Sequence, residues 1–498
     1  MSQLDVRPDH LQIVQDILHR HVPQYEVWAF GSRAKWMAKD YSDLDLCIKT
    51  DEPLGFDVLA QLQEDFTESD LPWKVDVVDW ASTSALFREV IERDRVVVQE
   101  VNLSEIMNVG WIQTTLGDVV TLQRGIDLPV QDRQDGDVPV VASTGIIGFH
   151  NKAPVKGPGV VIGRSGSIGG GQFIRDDFWP LNTTLWVKDF HGNDPRFCYY
   201  LLKSIDFSSL NAGSGVPTLN RNHLHPLRVL RPSMEVQRSI ASCLGAIDDK
   251  VEVNRRMNET LEAMARAMFK SWFVDFEGVP PEDMQESKLG WIPKGWRIST
   301  VGEEVTVFGG STPSTKEAEY WDDGIHHWVT PKDLSSLEFP VLLNTERKIT
   351  DAGLTKITSG LLPVGTLLLS SRAPIGYLAI TEVETAINQG FIAMRCEREL
   401  SNVFMLNWCR ENMSVIIGNA NGSTFLEISK SNFRPLPIVV PSTEKLREFE
   451  QQAKLLHQLV VDNQCQSQTL IKLRDTLLPK LLSGELRVKD AERIVETT

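Results

Sequence analysis

Asp43 and Asp45, in the run Ser42-Asp43-Leu44-Asp45-Leu46-Cys47-Ile48, are the first residues of this chain whose types and spacing could do chemistry. In an extended strand a period of two puts both carboxylates on one face. A second strand-like run, Trp73-Lys74-Val75-Asp76-Val77-Val78-Asp79, offers Asp76 as a third carboxylate around the same point. Like charges at short range repel, so the cluster is unfavourable without cations. Hard oxygen ligands suit Mg²⁺, which binds through a few carboxylates plus substrate phosphates and can align an in-line phosphoryl displacement. Upstream, Val27-Trp28-Ala29-Phe30 leads into Gly31-Ser32, a turn that can bring backbone N–H groups close to a triphosphate.

These residues sit in an acidic N-terminal segment of a long chain. The 498 residues, 42% hydrophobic and 24% charged, call for three or four domains with real cores. No apolar run is long enough to cross a membrane, and the N-terminus is acidic without an apolar core, so neither a transmembrane helix nor a secretory signal is expected. Six scattered cysteines without a C-x-x-C pair argue against structural zinc and a disulfide scaffold, and fit a reducing cytoplasm. The net charge is −16, of which −10 falls in residues 1–104 and −6 in the remaining 394. A nearly balanced remainder can still carry a local basic face, because phosphate contacts depend on local Lys and Arg.

Most of the chain after residue 105 is a duplication. Gly110-Trp111 with Leu116-Gly117-Asp118 recurs 185 residues later as Gly295-Trp296 with Val301-Gly302-Glu303. GVVIGRSGSIGG from Gly159 answers to GTLLLSSRAPIG from Gly365, and Leu181-Asn182-Thr183 to Ile387-Asn388-Gln389. GSGVPTLNRNHLHPLRVLRP from Gly213 aligns without gaps with GSTFLEISKSNFRPLPIVVP from Gly422. Short apolar runs broken by Gly, Pro and Asn mark each repeat as β-rich with irregular loops.

Each repeat ends in a long helical segment. Ile240, Leu244, Ile247, Val251, Asn254, Asn258, Leu261, Ala265, Met268 and Trp272 follow three-four spacing, and Phe449, Ala453, Leu456, Val460, Asn463, Ser467, Leu470, Leu477 and Leu481 follow it again. That spacing averages the coiled-coil period, and about 40 residues give a rod of roughly 60 Å. Two matched seams predict two helices paired with each other, with a polar Asn in each helping to fix register. Two similar globules on paired rods suit a ligand with two separated sites on a lattice, such as duplex DNA.

Residues 105–490 resemble the specificity subunit of a type I restriction–modification system. The resemblance is carried by the GW…LG openings, Ser371–Gly376 (SRAPIG), GSTFLEISKSNF, the helix after Pro232 and LLPKLLSGELRV. It implies two target-recognition domains reading halves of a split, asymmetric site on double-stranded DNA. It also implies two methyltransferase subunits docked on the helices, nuclease–translocase subunits in the full complex, and no cofactor for this part. Neither an N-P-P-[FY] methylase motif nor a phosphate-binding G-x-x-x-x-G-K-[ST] loop is present, so this part is not expected to catalyse on its own. Candidate DNA contacts are Arg164, Ser165, Asn220, Arg221 and Asn222 in the first unit and Lys332, Arg372, Lys430 and Asn432 in the second. Thr218 through Asn222 and Ser429 through Asn432 recur in both units, so backbone contacts or domain closure compete with base reading there. Trp111, Trp272 and Trp296 are expected in core or docking positions.

Residues 10–100 resemble the minimal nucleotidyltransferases of the DNA polymerase β superfamily, whose signature G-S-x(10)-D-x-D is met by Gly31, Ser32, Asp43 and Asp45. The resemblance implies Asp43, Asp45 and Asp76 as catalytic metal ligands, Gly31 and Ser32 as the nucleotide-binding turn, and Arg33 assisting the phosphates. Mg²⁺ and a nucleoside triphosphate would be its cofactors. Trp36 occupies a position where glycine is common, and a bulky residue there would narrow the phosphate pocket.

The expected fold is multidomain α+β: a polymerase-β-like α/β domain (1–104), recognition domains (105–232 and 281–440), and antiparallel coiled-coil helices (233–280 and 441–498). The leading reading is a DNA-specificity subunit. The alternatives are a nucleotidyltransferase directed by a DNA-binding module, and a scaffold that does not bind DNA.

Overall fold

The computed structural model describes residues 4–23, 25–39, 41–50, 53–99, 111–211, 215–422 and 426–496. The expected boundary at 104–105, Gly110, the opening of the GSGVP segment and Ser423–Phe425 lie outside the described residues. The chain divides into two compact units, one of residues 1–245 with 474–498 and one of residues 246–473.

The N-terminal segment runs α1 (Pro8–His21), β1 (Val27–Phe30), α2 (Gly31–Ala34), β2 (Leu44–Ile48), α3 (Phe56–Thr67), β3 (Val75–Asp79), α4 (Ala85–Asp94) and β4 (Val96–Gln99). Its sheet has the order β3-β2-β1-β4. Period two sorts the strand residues between the faces. Val27, Ala29, Leu44, Leu46 and Ile48 pack with Val14, Leu18, Leu62 and Phe66 of α1 and α3. Trp28, Phe30 and Cys47 join Trp80 and Ile91 on the α4 side. Asp45, one residue out of step with Leu44 and Leu46, is thereby excluded from the α1/α3 core.

The two repeats fold alike, pairing by pairing. In the first, Ile112–Thr115 pairs antiparallel with Arg228–Arg231; in the second, Arg297–Thr300 pairs with Pro437–Val440. The Gly117 amide bonds to the His225 carbonyl and the Gly302 amide to that of Arg434, each at 2.9 Å. In the first repeat Thr121–Arg124, Thr184–Asp189, Gly159–Gly163 and Gly169–Ile174 form a sheet in that order. The second repeats it with Thr306–Gly309, Phe391–Arg395, Leu367–Ser370 and Leu378–Thr381, and adds Val341–Leu342 at the edge.

The middle of the repeat is aligned differently from the sequence match. Arg164 donates its amide to the Thr183 carbonyl as Ser371 does to that of Gly390, and Asp127 is joined to Asn182 as Thr312 is to Gln389. Asn182 therefore corresponds to Gln389, and not to Asn388. The backbone hydrogen bonds set that register, whereas the shared Asn invited the other.

The long helices span Met234–Phe273, 40 residues, and Thr443–Ser483, 41 residues. Within the second unit they run antiparallel. Asn254 donates to Gln466 at 2.9 Å and to Ser467 at 3.2 Å, Asn463 donates to Asn258 at 2.8 Å, and Phe269 and Phe273 meet Phe449. Higher numbers on one helix face lower numbers on the other. Trp111 and Trp296 are buried, and Trp272 lies under the Lys445 ammonium at 3.6 Å. All six cysteines are unpaired, and no helix among the described residues is long and apolar enough to cross a membrane.

Candidate functional site

Two sites emerge, one in the N-terminal segment and one in the first repeat. In the N-terminal segment, parallel pairing of β2 with β3 sets Asp45 directly opposite Asp76, and antiparallel pairing with β1 sets Asp45 opposite Phe30, the residue before the Gly31-Ser32 turn. Gly31 has φ +77°, a conformation glycine takes freely, and a Cβ there would run into the Asp45 carboxylate. Burial, then the charges of Asp76 and Asp43, push the Asp45 carboxyl above its ordinary value. Asp45 thus lies within reach of the charges of both other acids.

They are not gathered into a finished metal site. Among the described residues no three His, Cys, Asp or Glu side chains are placed to hold an ion, and Lys74 holds Asp76 at 2.5 Å. The donor set still fits a hard cation: all its donors are carboxylate oxygens, and the like-charge strain on Asp45 is of the kind a cation relieves.

Arg33 is engaged by backbone carbonyls. Its side chain is buried, Nε and Nη2 donate to the Ser42 carbonyl at 2.9 and 2.7 Å, Nη1 donates to that of Asp5 at 3.0 Å, and Trp73 stacks at 4.6 Å. The guanidinium clamps the turn to the start of β2, and its donors face backbone rather than a phosphate. Trp36 takes φ +56° and the residue is 59% exposed, so it stands out from the surface rather than filling the pocket. Asp79 is structural: it accepts from Thr50, Leu54, Ala81 and Ser82.

In the first repeat a cleft of about 1010 Å³ opens where Thr121–Arg124, the loop after Gly163 and the start of helix Arg221–Leu224 converge. Its lining includes Arg124, Arg164, Lys188 and Arg221, with Asp127 as its one carboxylate. Asp127 accepts from the Asn182 amide at 2.8 Å, and Arg164 Nε donates to the Asn182 carbonyl at 2.9 Å. Burial, and next the positive charge of Arg124, lower the Arg164 pKa, and four cationic side chains against one carboxylate leave the lining positively charged. Arg164, Asn220 and Arg221 of the expected contacts line this cleft. Ser165 pairs through its backbone with Thr218, Asn220 caps the short helix through the Asn222 amide, and Asn222 is exposed.

The second repeat engages its candidates differently. Lys332 pairs with Glu346 at 2.7 Å, Arg372 faces Glu427 at 3.8 Å, Asn432 donates to the Asn419 carbonyl at 3.0 Å, and Lys430 lies across Gly309. Arg124 and Lys188 were missed in the sequence because each owes its position to pairing with a distant strand. Gly125, a punctuation mark directly after Arg124, was the available signal.

A model of the type I restriction modification DNA specificity domain matches residues 108–263 and again residues 293–473. The chain belongs to this specificity family. The type I restriction enzyme HindI specificity subunit of Haemophilus influenzae is 23% identical over 384 residues, covering 63% of this chain and 83% of that protein. The crystal structure of a type I restriction–modification S subunit from M. genitalium aligns with a TM-score of 0.51 at 16% identity, covering 75% of this chain and 96% of that one. The N-terminal segment, residues 12–102, matches the polymerase beta nucleotidyltransferase model. There the probable protein adenylyltransferase MntA of H. influenzae is 57% identical over 99 residues, 20% of this chain and 87% of that protein. This specificity-family member therefore carries a nucleotidyltransferase-family domain ahead of its two recognition repeats.

Proposed function

We propose that the chain supplies DNA sequence specificity to a type I restriction–modification assembly, each repeat reading one half of a split, asymmetric site on double-stranded DNA. Two methyltransferase subunits would be its immediate partners, and nuclease–translocase subunits would complete the complex. The observation that carries the reading is the cationic cleft of the first repeat, built on a strand frame that recurs in the second with different side chains. Arg and Lys there suit phosphates and guanine edges. Co-expression with the methyltransferase subunit, followed by genome-wide mapping of methylated bases, tests it. A split, asymmetric consensus is expected; methylation without a consensus, or DNA affinity that does not fall with salt, would overturn the reading.

The N-terminal domain supports a second activity, favoured by the Asp43-Asp45-Asp76 arrangement and its likeness to a protein adenylyltransferase. In this reading it transfers a nucleoside monophosphate, AMP by that likeness, to a partner protein. Asp43, Asp45 and Asp76 would hold Mg²⁺, which when bound supplies charge neutralisation to the phosphates. The Gly31-Ser32 turn would orient the nucleotide through backbone N–H groups. The acceptor nucleophile attacks the α-phosphorus, the α–β phosphoanhydride bond breaks, and pyrophosphate leaves. Incubation with α-labelled ATP and cell protein should label a partner in the native chain and nothing in Asp43→Ala/Asp45→Ala, with the methylation consensus unchanged in that variant.

A further inference from the structure

The two repeats share a frame, so their side chains can be compared position by position. Arg124 pairs with Leu185 as Gly309 pairs with Ile392. The Leu219 amide donates to the Arg164 carbonyl at 2.8 Å as the Ile428 amide does to that of Ser371 at 3.0 Å. On the same frame Arg221 corresponds to Lys430, because helix Arg221–Leu224 answers to helix Lys430–Phe433. Lys188 is the extra residue where the register shifts between Val187 and Asp189, and Asp189 pairs with Thr121 as Arg395 does with Thr306.

The arginines of the first cleft therefore fall into two classes. Arg221 has a cationic counterpart in the second repeat, Lys430. Arg124 and Arg164 do not: their counterparts are Gly309 and Ser371. At Gly309 the missing side chain leaves room for Lys430, whose Nζ lies 3.2 Å from where a Cβ would stand. Among the described residues neither Arg124 nor Arg164 forms an ion pair with a carboxylate, although both line the same cleft. Phosphate spacing is identical at every duplex site, so groups that hold phosphates can recur. Groups that read different bases must differ.

Resting on the DNA-specificity reading, we infer that Arg124 and Arg164 are the base-reading pair of the first recognition repeat and require guanine in the first half-site. Arg221, with its counterpart Lys430, holds phosphates. Arg presents two parallel N–H donors to guanine O6 and N7, a match no other base offers in the major groove.

The test uses the full chain co-expressed with its methyltransferase subunit and reads the methylated consensus. Arg124→Ala and Arg164→Ala should each lose a guanine requirement in one half-site by roughly tenfold or more while the other half keeps its consensus. Arg124→Lys keeps the charge and guards against a folding defect; it should relax the same position. Arg221→Ala should weaken methylation about evenly across sites and lower the salt slope of DNA binding by roughly one. Arg124→Ala and Arg164→Ala variants that weaken all sites evenly, as Arg221→Ala does, would overturn the inference while leaving the DNA-specificity reading intact. A native chain that directs no split consensus would overturn both.

Discussion

Asn463 donates its side-chain amide to Oδ1 of Asn258 at 2.8 Å, across the two long helices, and Asn258 is 1% exposed. A polar pair inside an apolar seam costs stability relative to leucine and restricts the helices to the register in which the pair forms. Asn258→Ala leaves the Asn463 amide without this partner and should lower the stability of the second unit by about 1–3 kcal/mol. Asn258→Leu with Asn463→Leu should instead raise the urea midpoint above that of the native chain. A double leucine variant with a lower midpoint would mean that the asparagines stabilise the pairing rather than select its register.

Gly31 touches the Asp45 carboxylate with no Cβ between them, at φ +77°. Gly31→Ala meets a left-handed backbone cost of roughly 1–2 kcal/mol before any collision. The collision would push Asp45 aside, so nucleotide transfer should be lost while the methylation consensus is kept. Labelling with α-labelled ATP and methylation mapping on the same preparation separate the two effects.

The parts that local spacing fixes were legible without coordinates. The Gly31-Ser32 turn is an adjacent pair, and the Asp43-x-Asp45 step and the register-matched seams express periods of two and 3.5 residues. The surroundings of Arg33 were not legible, because its position beside the Gly31-Ser32 turn is local, whereas its partners, the Asp5 and Ser42 carbonyls, are set by tertiary folding. Asp76 and Asp79, three residues apart on one strand, fall on opposite faces. The loop carrying Thr50 and Leu54, together with the turn through Ala81 and Ser82, makes Asp79 a structural anchor. Arg124 and Lys188 were invisible for the same reason, since a cleft wall built from non-adjacent strands has no sequence period.

Asp45 supplies a pH-dependent prediction. Its folded-state pKa lies above the ordinary value of 3.8, because burial and the charges of Asp76 and Asp43 disfavour its ionised form. A raised carboxyl pKa means the folded domain holds that proton more tightly than the unfolded chain does. The resulting stability is present below pH 3.8 and is lost as pH rises through the folded pKa. Asp45→Asn, which cannot ionise, should therefore melt at a higher temperature than the native chain at pH 7, with the difference shrinking toward pH 3.8. Mg²⁺ should raise the melting temperature of the native chain at pH 7 and do little for the variant. Equal melting of the two proteins across this range would show that neither burial nor the neighbouring carboxylates disfavour the Asp45 charge.

Glu262 and Arg410 form the ion pair that ties the first long helix to helix Asn402–Glu411 within the second unit, at 2.5 Å with side-chain exposures of 9% and 16%. Burial lowers the Arg410 pKa despite the neighbouring Glu262 charge, and Arg410 Nη1 has no hydrogen-bond acceptor, so the guanidinium is already poorly solvated. Glu262→Ala removes its nearest countercharge and should cost about 3–5 kcal/mol, the usual penalty for leaving a buried charge unpaired. Glu262→Leu combined with Arg410→Met removes both charges and should recover most of that loss. Thermal unfolding of the three proteins decides the matter: a single variant as stable as the double would mean that water reaches Arg410 and that the pair contributes little to anchoring the helix.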